Sequence, residues 1–482
     1  MTLEPTSSRR ILASASYRVV ADVGSKLASL ALYVLIGRKL GAAEFGVFTL
    51  GFSIVTLATA LGGFGQDLIL TREVARRHDE VHRFFANTLA LKLVLGLPVL
   101  GLTLVVGLLA GFGRELLLVV ALLGIGVVAE LLANTCFAVF QAHERFAYIP
   151  IALISQRLFT AVVGIVALER GAGVVAISGV YLVGAMLGLG LAILLLLRRI
   201  VRPRLEVTWR TWWPLMKTAT PVGLAVVFGL VLARIDTAML AAFKSKTVVG
   251  NYGAAYRLFE APLLLSFGVT AAVYPVLSRL TNTTVPSVGF VFGRAVKLAL
   301  ALTLPIAVGA AILSGSVMEL LYGDSFETAG GALRLLAPAL ALFPIGYLAA
   351  YLLVSQSRQR VLSVVYGFVA AENILANLVL IPLWSLKGAA LGTSVSQLLM
   401  TATLVYYARR ETGPIDWPRI LAGTVVASIL AGAAMAVLRG DLEVAIGAGA
   451  AVYVGTLLVF EQLVFPEDAG ALWAFMRRAA RT

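Results

Sequence analysis

Apolar runs of about 18–25 residues, separated by short polar breaks, recur from one end of the chain to the other. They fall at 12–37, 45–63, 86–110, 115–139, 147–168, 173–197, 219–241, 252–275, 294–313, 332–354, 361–382, 386–408, 419–437 and 444–465. Each is long enough to cross a bilayer as a helix, since about 20 residues cover the ~30 Å hydrocarbon core. Lipid offers no partner for exposed backbone groups, so a spanning segment of this length has to be helical. The expected fold is all-α and polytopic, with about fourteen transmembrane helices. No break is long enough for a soluble domain; the longest run from Gly65 to Phe85 and from Arg198 to Thr218.

The pattern also repeats. Glu44-Phe45-Gly46 opens the second run and Asn251-Tyr252-Gly253 the eighth. Gln141 and Arg145 close the fourth run, Gln356 and Arg360 the tenth; Gly173-Val174-Val175 opens the sixth and Gly388-Ala389-Ala390 the twelfth. These pairs lie about 207–215 residues apart and in the same order, which predicts two six-helix lobes of parallel topology around a central path. The expected division is an N-terminal lobe at 1–197, a cytoplasmic amphipathic linker at 198–218, a C-terminal lobe at 219–408, and a final helix pair with its tail at 409–482.

Composition agrees with lipid as the solvent. Of 482 residues, 60% are hydrophobic and 13% charged, against roughly a quarter charged in a soluble domain; the mean hydropathy is +0.94. A net charge of +14 would suggest nucleic acid in a soluble protein, but here the basic residues gather in short loops, and no nucleic-acid partner is expected. With the N-terminus inside, about 23 basic residues fall in cytoplasmic loops and about 9 outside. Both termini are therefore expected in the cytoplasm. The stretch from Arg198 to Lys217 combines basic residues with Trp209, Trp212 and Trp213, as suits a segment on the cytoplasmic leaflet. The apolar stretch after Arg9-Arg10 is too short for a signal peptide, so none is expected. A lone cysteine, Cys136, rules out a disulfide framework, and His78, His82 and His143 read as solvated loop residues without metal-ligand spacing. No metal and no cofactor are expected.

Charges inside the runs carry the functional signal, because each costs about 2.5–3.5 kcal/mol at the bilayer centre. Arg18, Asp22, Ser25, Lys26, Ser29 and Tyr33 line one face of the first helix, which must meet protein or a water-filled cavity. Further such charges are Lys92, Glu130, Arg157, Arg234, Asp236, Arg257, Glu260, Lys297 and Glu372. Arg234 and Asp236, two apart, point to opposite sides of a regular helix. Arg257 and Glu260 are spaced to pair, and Pro262 is placed to kink the helix after them. Arg157 and Glu372 occupy equivalent places in the two halves, and Lys92 and Lys297 read as snorkelling cations near their helix starts. Asn373 and Asn377 share a face, suited to sugar hydroxyls or to an interhelical hydrogen bond. The net sign is positive. Arginine forks match phosphate oxygens, so an anionic substrate is expected rather than a cationic drug.

No phosphate-cradling Gly-rich loop with a Lys-Ser/Thr pair occurs, and no large exterior loop exists to hold a catalytic site. Asp324 and Glu327, in the exterior break Ser314–Gly331, read as solvated turn residues. The chain is not expected to be an enzyme; a membrane-embedded glycan polymerase or ligase is the rival from that class.

Several segments resemble a known family. Leu40-Gly41-Ala42-Ala43-Glu44-Phe45-Gly46-Val47-Phe48, Gly63-Phe64-Gly65 and Thr71-Arg72-Glu73-Val74-Ala75-Arg76 resemble the N-terminal signature of the oligosaccharide and polysaccharide flippases (Wzx-like). Ile235-Asp236-Thr237-Ala238-Met239-Leu240, Val249 through Glu260, and Tyr274-Pro275-Val276-Leu277-Ser278-Arg279-Leu280 resemble the motif around their seventh and eighth spans. Leu320-Leu321-Tyr322-Gly323 with Phe326, and Leu380-Ile381-Pro382 with Lys387-Gly388-Ala389-Ala390, fit later motifs. The likeness covers about residues 10–410 and extends to the superfamily holding lipid II flippases and MATE exporters. It implies two six-helix lobes around a V-shaped cavity that works by alternating access. It also implies an undecaprenyl diphosphate-linked oligosaccharide, moved from the cytoplasmic to the outer leaflet for surface polysaccharide synthesis.

On that resemblance Arg18, Lys26, Arg157, Arg234 and Arg257 are the candidate diphosphate residues. Asp22, Asp236, Glu260 and Glu372 are the candidate coupling or cavity acids, and Asn373 and Asn377 the candidate sugar contacts. The expected partners are membrane lipid, the lipid-linked oligosaccharide, and glycosyltransferases and a polymerase of the same pathway; a monomer in the plasma membrane is expected. The alternatives are a lipid II-type flippase and a MATE-like drug or cation antiporter.

Overall fold

The computed structural model describes the backbone of residues 5–60, 62–204, 206–280 and 285–464; side chains are described for residue 24 and from residue 28 onward in these stretches, Val285 and Pro286 excepted. The described chain is helical and contains no strand. Its helices are α1 (Pro5–Thr59), α2 (Gln66–Arg76), α3 (Val81–Leu109), α4 (Arg114–Ala142), α5 (Tyr148–Glu169), α6 (Val174–Arg199), α7 (Trp212–Phe243), α8 (Lys246–Glu260), α9 (Leu263–Arg279), α10 (Val285–Tyr322), α11 (Ala329–Ser355), α12 (Gln359–Thr412), α13 (Trp417–Val437) and α14 (Leu442–Val464).

Helices and membrane crossings do not correspond one to one. Among the described residues 12 helices are long and apolar enough to cross a membrane. Two of these, α1 and α12, run for 55 and 54 residues and each contains a break, at Gly41 and at Ser385. Dividing them there brings the count close to the fourteen crossings expected. Gly41 (φ 79°, ψ 175°) lies in a backbone region open in practice to glycine alone. Ser385 (φ 56°) takes a strained left-handed conformation. Pro262 acts where expected: α8 ends just before it and α9 begins just after, within one crossing from Lys246 to Arg279. The amphipathic α2 crosses nothing. It buries Gln66, Ile69, Leu70 and Val74 and leaves Arg72 and Arg76 exposed.

Two compact units divide the chain. The first gathers the residues up to Arg257 with Tyr322–Phe326 and Gln359–Ala389; the second holds Leu258–Leu321, Glu327–Arg358 and the rest from Ala390. Within the first unit, α1 and α8 cross at glycine. A methyl group on Gly46 would overlap the carbonyl oxygen of Lys246, and one on Gly250 would overlap that of Ala42. One turn further on, Gly253 faces Thr49, where an added Cβ would come within 2.6 Å. Small residues at this spacing let backbones touch, which is how helices gain packing energy where lipid provides no hydrophobic drive. The repeated Phe-Gly and Tyr-Gly segments noted in the sequence are thus the two sides of one contact. Tyr322 and Phe326, both buried, pack with Phe45 against the small surface left by Gly37. Asp324 and Glu327 remain exposed, as a turn requires.

The two longest polar breaks also meet in this unit. Asn87, 2% exposed on α3, accepts from the Thr208 amide and the Trp212 indole, both at 2.9 Å, and donates to the carbonyl of Glu206 at 3.0 Å. The Arg204 amide donates to His82 at 3.1 Å. The linker before α7 is therefore pinned to α3, with Trp209 and Trp213 exposed. The rings of His78 and His143 lie edge to face, and no cluster of three metal-binding side chains occurs among the described residues.

Both lysines read as snorkelling are instead paired. Lys92 is 1% exposed. Its ammonium meets both Asp67 oxygens, at 2.7 and 2.8 Å, and the Leu131 carbonyl at 2.6 Å, so all three donors are used. Asp67 comes from α2, whose fold back toward α3 and α4 no local periodicity reveals. In the second unit, Lys297 on α10 pairs with Glu461 on α14 at 2.6 Å. Tyr453 adds a bond to the Ala301 carbonyl at 2.8 Å, so α14 is tied to α10 twice. Elsewhere in this unit Phe343, Tyr347 and Tyr351 line one face of α11 and meet Phe267 and Tyr274 of α9.

Two outcomes follow from this packing. Gly46→Ala or Gly250→Ala must push the two backbones apart and should lower the melting temperature of the detergent-solubilised protein by several degrees, at a cost of about 1–3 kcal/mol. Gly101→Ala and Gly179→Ala, where an added methyl meets nothing within 4 Å, should leave it unchanged. Lys92→Met should cost about 3–5 kcal/mol by stranding Asp67, and adding Asp67→Asn should recover some of the loss in the same melting assay.

Candidate functional site

The first unit concentrates the polar groups that its helices carry inward. Three helices build the centre. From α1 come Tyr33 and Phe52, from α7 Arg234, and from α8 Tyr256 and Arg257. The Arg257 guanidinium lies 3.9 Å over the Tyr33 ring and 5.4 Å from the Phe52 ring. The Arg234 guanidinium lies 5.7 Å from the same Phe52 ring and 5.8 Å from that of Tyr256. Phe52 is thus shared by two guanidinium groups, and Tyr181 of α6 forms a T-shaped pair with it at 5.9 Å. A guanidinium over a desolvated ring gains about 2 kcal/mol. A guanidinium also carries the planar fork of donors that matches phosphate oxygens.

Next to this lies an acid cluster. Asp236, 2% exposed, accepts from the Tyr252 hydroxyl at 2.9 Å and from the Asn377 amide of α12 at 2.6 Å. Asn377 also donates to Asn373 at 3.1 Å, and both asparagines are buried. Here they serve a carboxylate and each other rather than an open surface. Arg234 and Asp236 diverge as their spacing predicts: Arg234 reaches Phe52 and Tyr256, Asp236 reaches Tyr252 and Asn377, and α7 is unbroken between them. Tyr252 and Tyr256, one turn apart on α8, each take one of the pair.

The other candidates are more scattered. Arg157 is half-buried on α5; its neighbour Gln156 donates to Glu130 of α4. Glu372 is half-buried on α12, and Glu260 closes α8 in the second unit. Arg18, Asp22 and Lys26 lie outside the described residues. Phe52, Tyr252 and Tyr256 were not singled out from sequence, because aromatics inside apolar runs look like lipid-facing residues. The signal available for the two tyrosines is their four-residue spacing, which puts them on one face of α8.

The arrangement pairs a cationic, aromatic-lined surface with a buried, hydrogen-bonded acid. Against known families, residues 11–281 match the model described as polysaccharide biosynthesis protein. The chain belongs to this family. Curated relatives of this polysaccharide biosynthesis protein include the probable flippase AglR of Haloferax volcanii, 29% identical over 173 residues, or 34% of the chain and 35% of the relative. The probable low-salt glycan biosynthesis flippase Agl15 of the same organism is 24% identical over 180 residues, 36% of the chain and 37% of the relative. The chain thus matches about a third of the length of each. Among solved structures, the lipid II flippase MurJ in an inward closed conformation shares the fold with a TM-score of 0.78 at 14% identity, over 92% of this chain and 98% of that one. An inward-facing multidrug resistance MATE family transporter of the MOP superfamily matches with a TM-score of 0.66 at 17% identity, over 83% and 95%.

Asp236 is the residue of the site most open to a direct stability test. Tyr252→Phe removes one of its hydrogen bonds and should cost about 1.5–3 kcal/mol, read as a lower melting temperature. Asp236→Asn with Tyr252→Phe should cost less than the sum of the two single changes.

Proposed function

We propose that this polysaccharide biosynthesis protein flips an undecaprenyl diphosphate-linked oligosaccharide from the cytoplasmic to the outer leaflet of the plasma membrane. The observation that carries this reading is the pair of guanidinium groups, Arg234 and Arg257, that lie 5.7 and 5.4 Å from the same Phe52 ring. A diphosphate spreads charge over several oxygens and gains most from more than one fork in a partly dry site. A cationic drug would be repelled by the same pair. The family membership and the named activities of its curated relatives point the same way.

In this reading the two six-helix lobes, at 1–197 and 219–408, alternate between inward and outward openings, with 198–218 as the linker and the last helix pair outside the repeat. Both termini face the cytoplasm, the protein works as a monomer, and glycosyltransferases and a polymerase act before and after it. Arg18, Lys26 and Arg157 are the further cations proposed to serve the diphosphate. Among the candidate acids Asp236 is best suited to couple transport to an ion or proton gradient: it is buried, and protonation would turn one of its two accepting oxygens into a donor, so that Tyr252 or Asn377 has to rearrange. The lipid II flippase reading shares this site chemistry and differs in the sugar carried.

In proteoliposomes loaded with a lipid-linked oligosaccharide, Arg234→Ala with Arg257→Ala should slow leaflet exchange at least about tenfold, since each lost charge-assisted contact is worth about 1.5–3 kcal/mol, while the protein remains folded. If Arg18, Lys26, Arg234 and Arg257 can all become alanine without loss of exchange, the site assignment fails.

A further inference from the structure

A cavity of about 370 Å³ opens in the second unit, where the start of α10 meets the end of α12 and the beginning of α13. Small residues create it. Gly289 brings α10 against the end of α12, where an added Cβ would sit 2.5 Å from the Thr412 carbonyl oxygen. Gly293 leaves the floor open, with the Ile420 side chain 3.2 Å from where a Cβ would lie.

The lining is basic. Arg294, Lys297 and Arg419 reach it, against the single acid Asp416. Asp416 already serves as the cap of α13, accepting from the Arg419 amide at 3.2 Å. Lys297 is held from behind by Glu461, and Arg294 lies 4.6 Å over the ring of Phe290. The positive end of the α13 dipole adds to the same potential.

A second, independent feature continues from this mouth. Phe290, Leu298, Leu302 and Ile306 follow Arg294's own four-residue spacing along α10, exposed at 61, 48, 40 and 40%. From Arg294 to Ile306 the stripe runs about 18 Å, close to the reach of an acyl chain. A basic hollow at one end and an uncovered apolar track leading away from it match the shape and polarity of a phospholipid. A soluble anion has no use for the track.

We propose that this cavity binds the phosphate headgroup of an anionic phospholipid of the cytoplasmic leaflet, with one acyl chain along α10. The site lies in a different unit from the guanidinium pair and does not depend on what the protein transports. It rests on the cytoplasmic placement of the loop between α12 and α13.

Native mass spectrometry of the full detergent-solubilised chain tests it, with titrations of phosphatidylglycerol, phosphatidylcholine and inorganic phosphate. The wild type should retain phosphatidylglycerol in preference to phosphatidylcholine. Arg294→Gln with Arg419→Gln should weaken phosphatidylglycerol binding roughly ten- to thirtyfold, at about 1 kcal/mol per basic residue, and Arg294→Lys with Arg419→Lys should keep it within about threefold. Should the glutamine pair fail to fold, each single glutamine variant is read the same way. Equal retention of the two lipids, or unchanged phosphatidylglycerol binding in the glutamine variants, overturns the proposal. So does displacement of the lipid by millimolar inorganic phosphate, which would make this a site for a soluble anion.

Discussion

The crossing of α1 and α8 at Gly46 and Gly250 decides what else the first unit can contain. With no side chain between them, the two backbones meet, and the residues one to two turns further along each helix are forced together. Phe52 lies six positions beyond Gly46 and Arg257 seven beyond Gly250, so a contact made of nothing but backbone sets the register of the cation–aromatic cluster. Tyr252 and Tyr256 then fall on the side of α8 that meets α7, where they receive Asp236 and Arg234. A bulkier residue at either glycine would add contact area and lose the site.

The same economy governs the charges. In lipid an ionised side chain must be neutralised, hydrated or paired, and this chain uses different solutions for different tasks. Lys92 with Asp67 and Lys297 with Glu461 are ion pairs, and they tie helices together. Arg234 and Arg257 are held by ring faces instead. Their guanidinium groups lie 5.7 and 5.4 Å from the Phe52 ring, a contact that gains strength where water is excluded.

Much of this is legible in the amino-acid sequence. Run lengths place the crossings, because a span must carry about 20 apolar residues whatever its neighbours are. The two-residue spacing of Arg234 and Asp236 foretells their divergence, since helix geometry alone sets it. What local pattern cannot supply is the identity of a partner distant in sequence. Lys92 looks like a snorkelling cation until α2 folds back and delivers Asp67, and Glu461 was passed over inside an apolar run because its lysine is so far upstream. Phe52 is indistinguishable by composition from any other aromatic in a membrane helix. Its role exists only once the glycine crossing has set the register. The fusion of two crossings into one long α1 or α12 likewise depends on a single break, Gly41 or Ser385, too small to register in a hydropathy average.

The Lys297–Glu461 bond has a consequence for biosynthesis. The two residues are separated by 164 positions, and at roughly 5–20 residues per second the ribosome needs on the order of ten to thirty seconds to make the second after the first. For that interval α10 sits in the membrane with a cation whose permanent counter-ion has not yet been synthesised. The second unit therefore gains this tie only once α14 is in place.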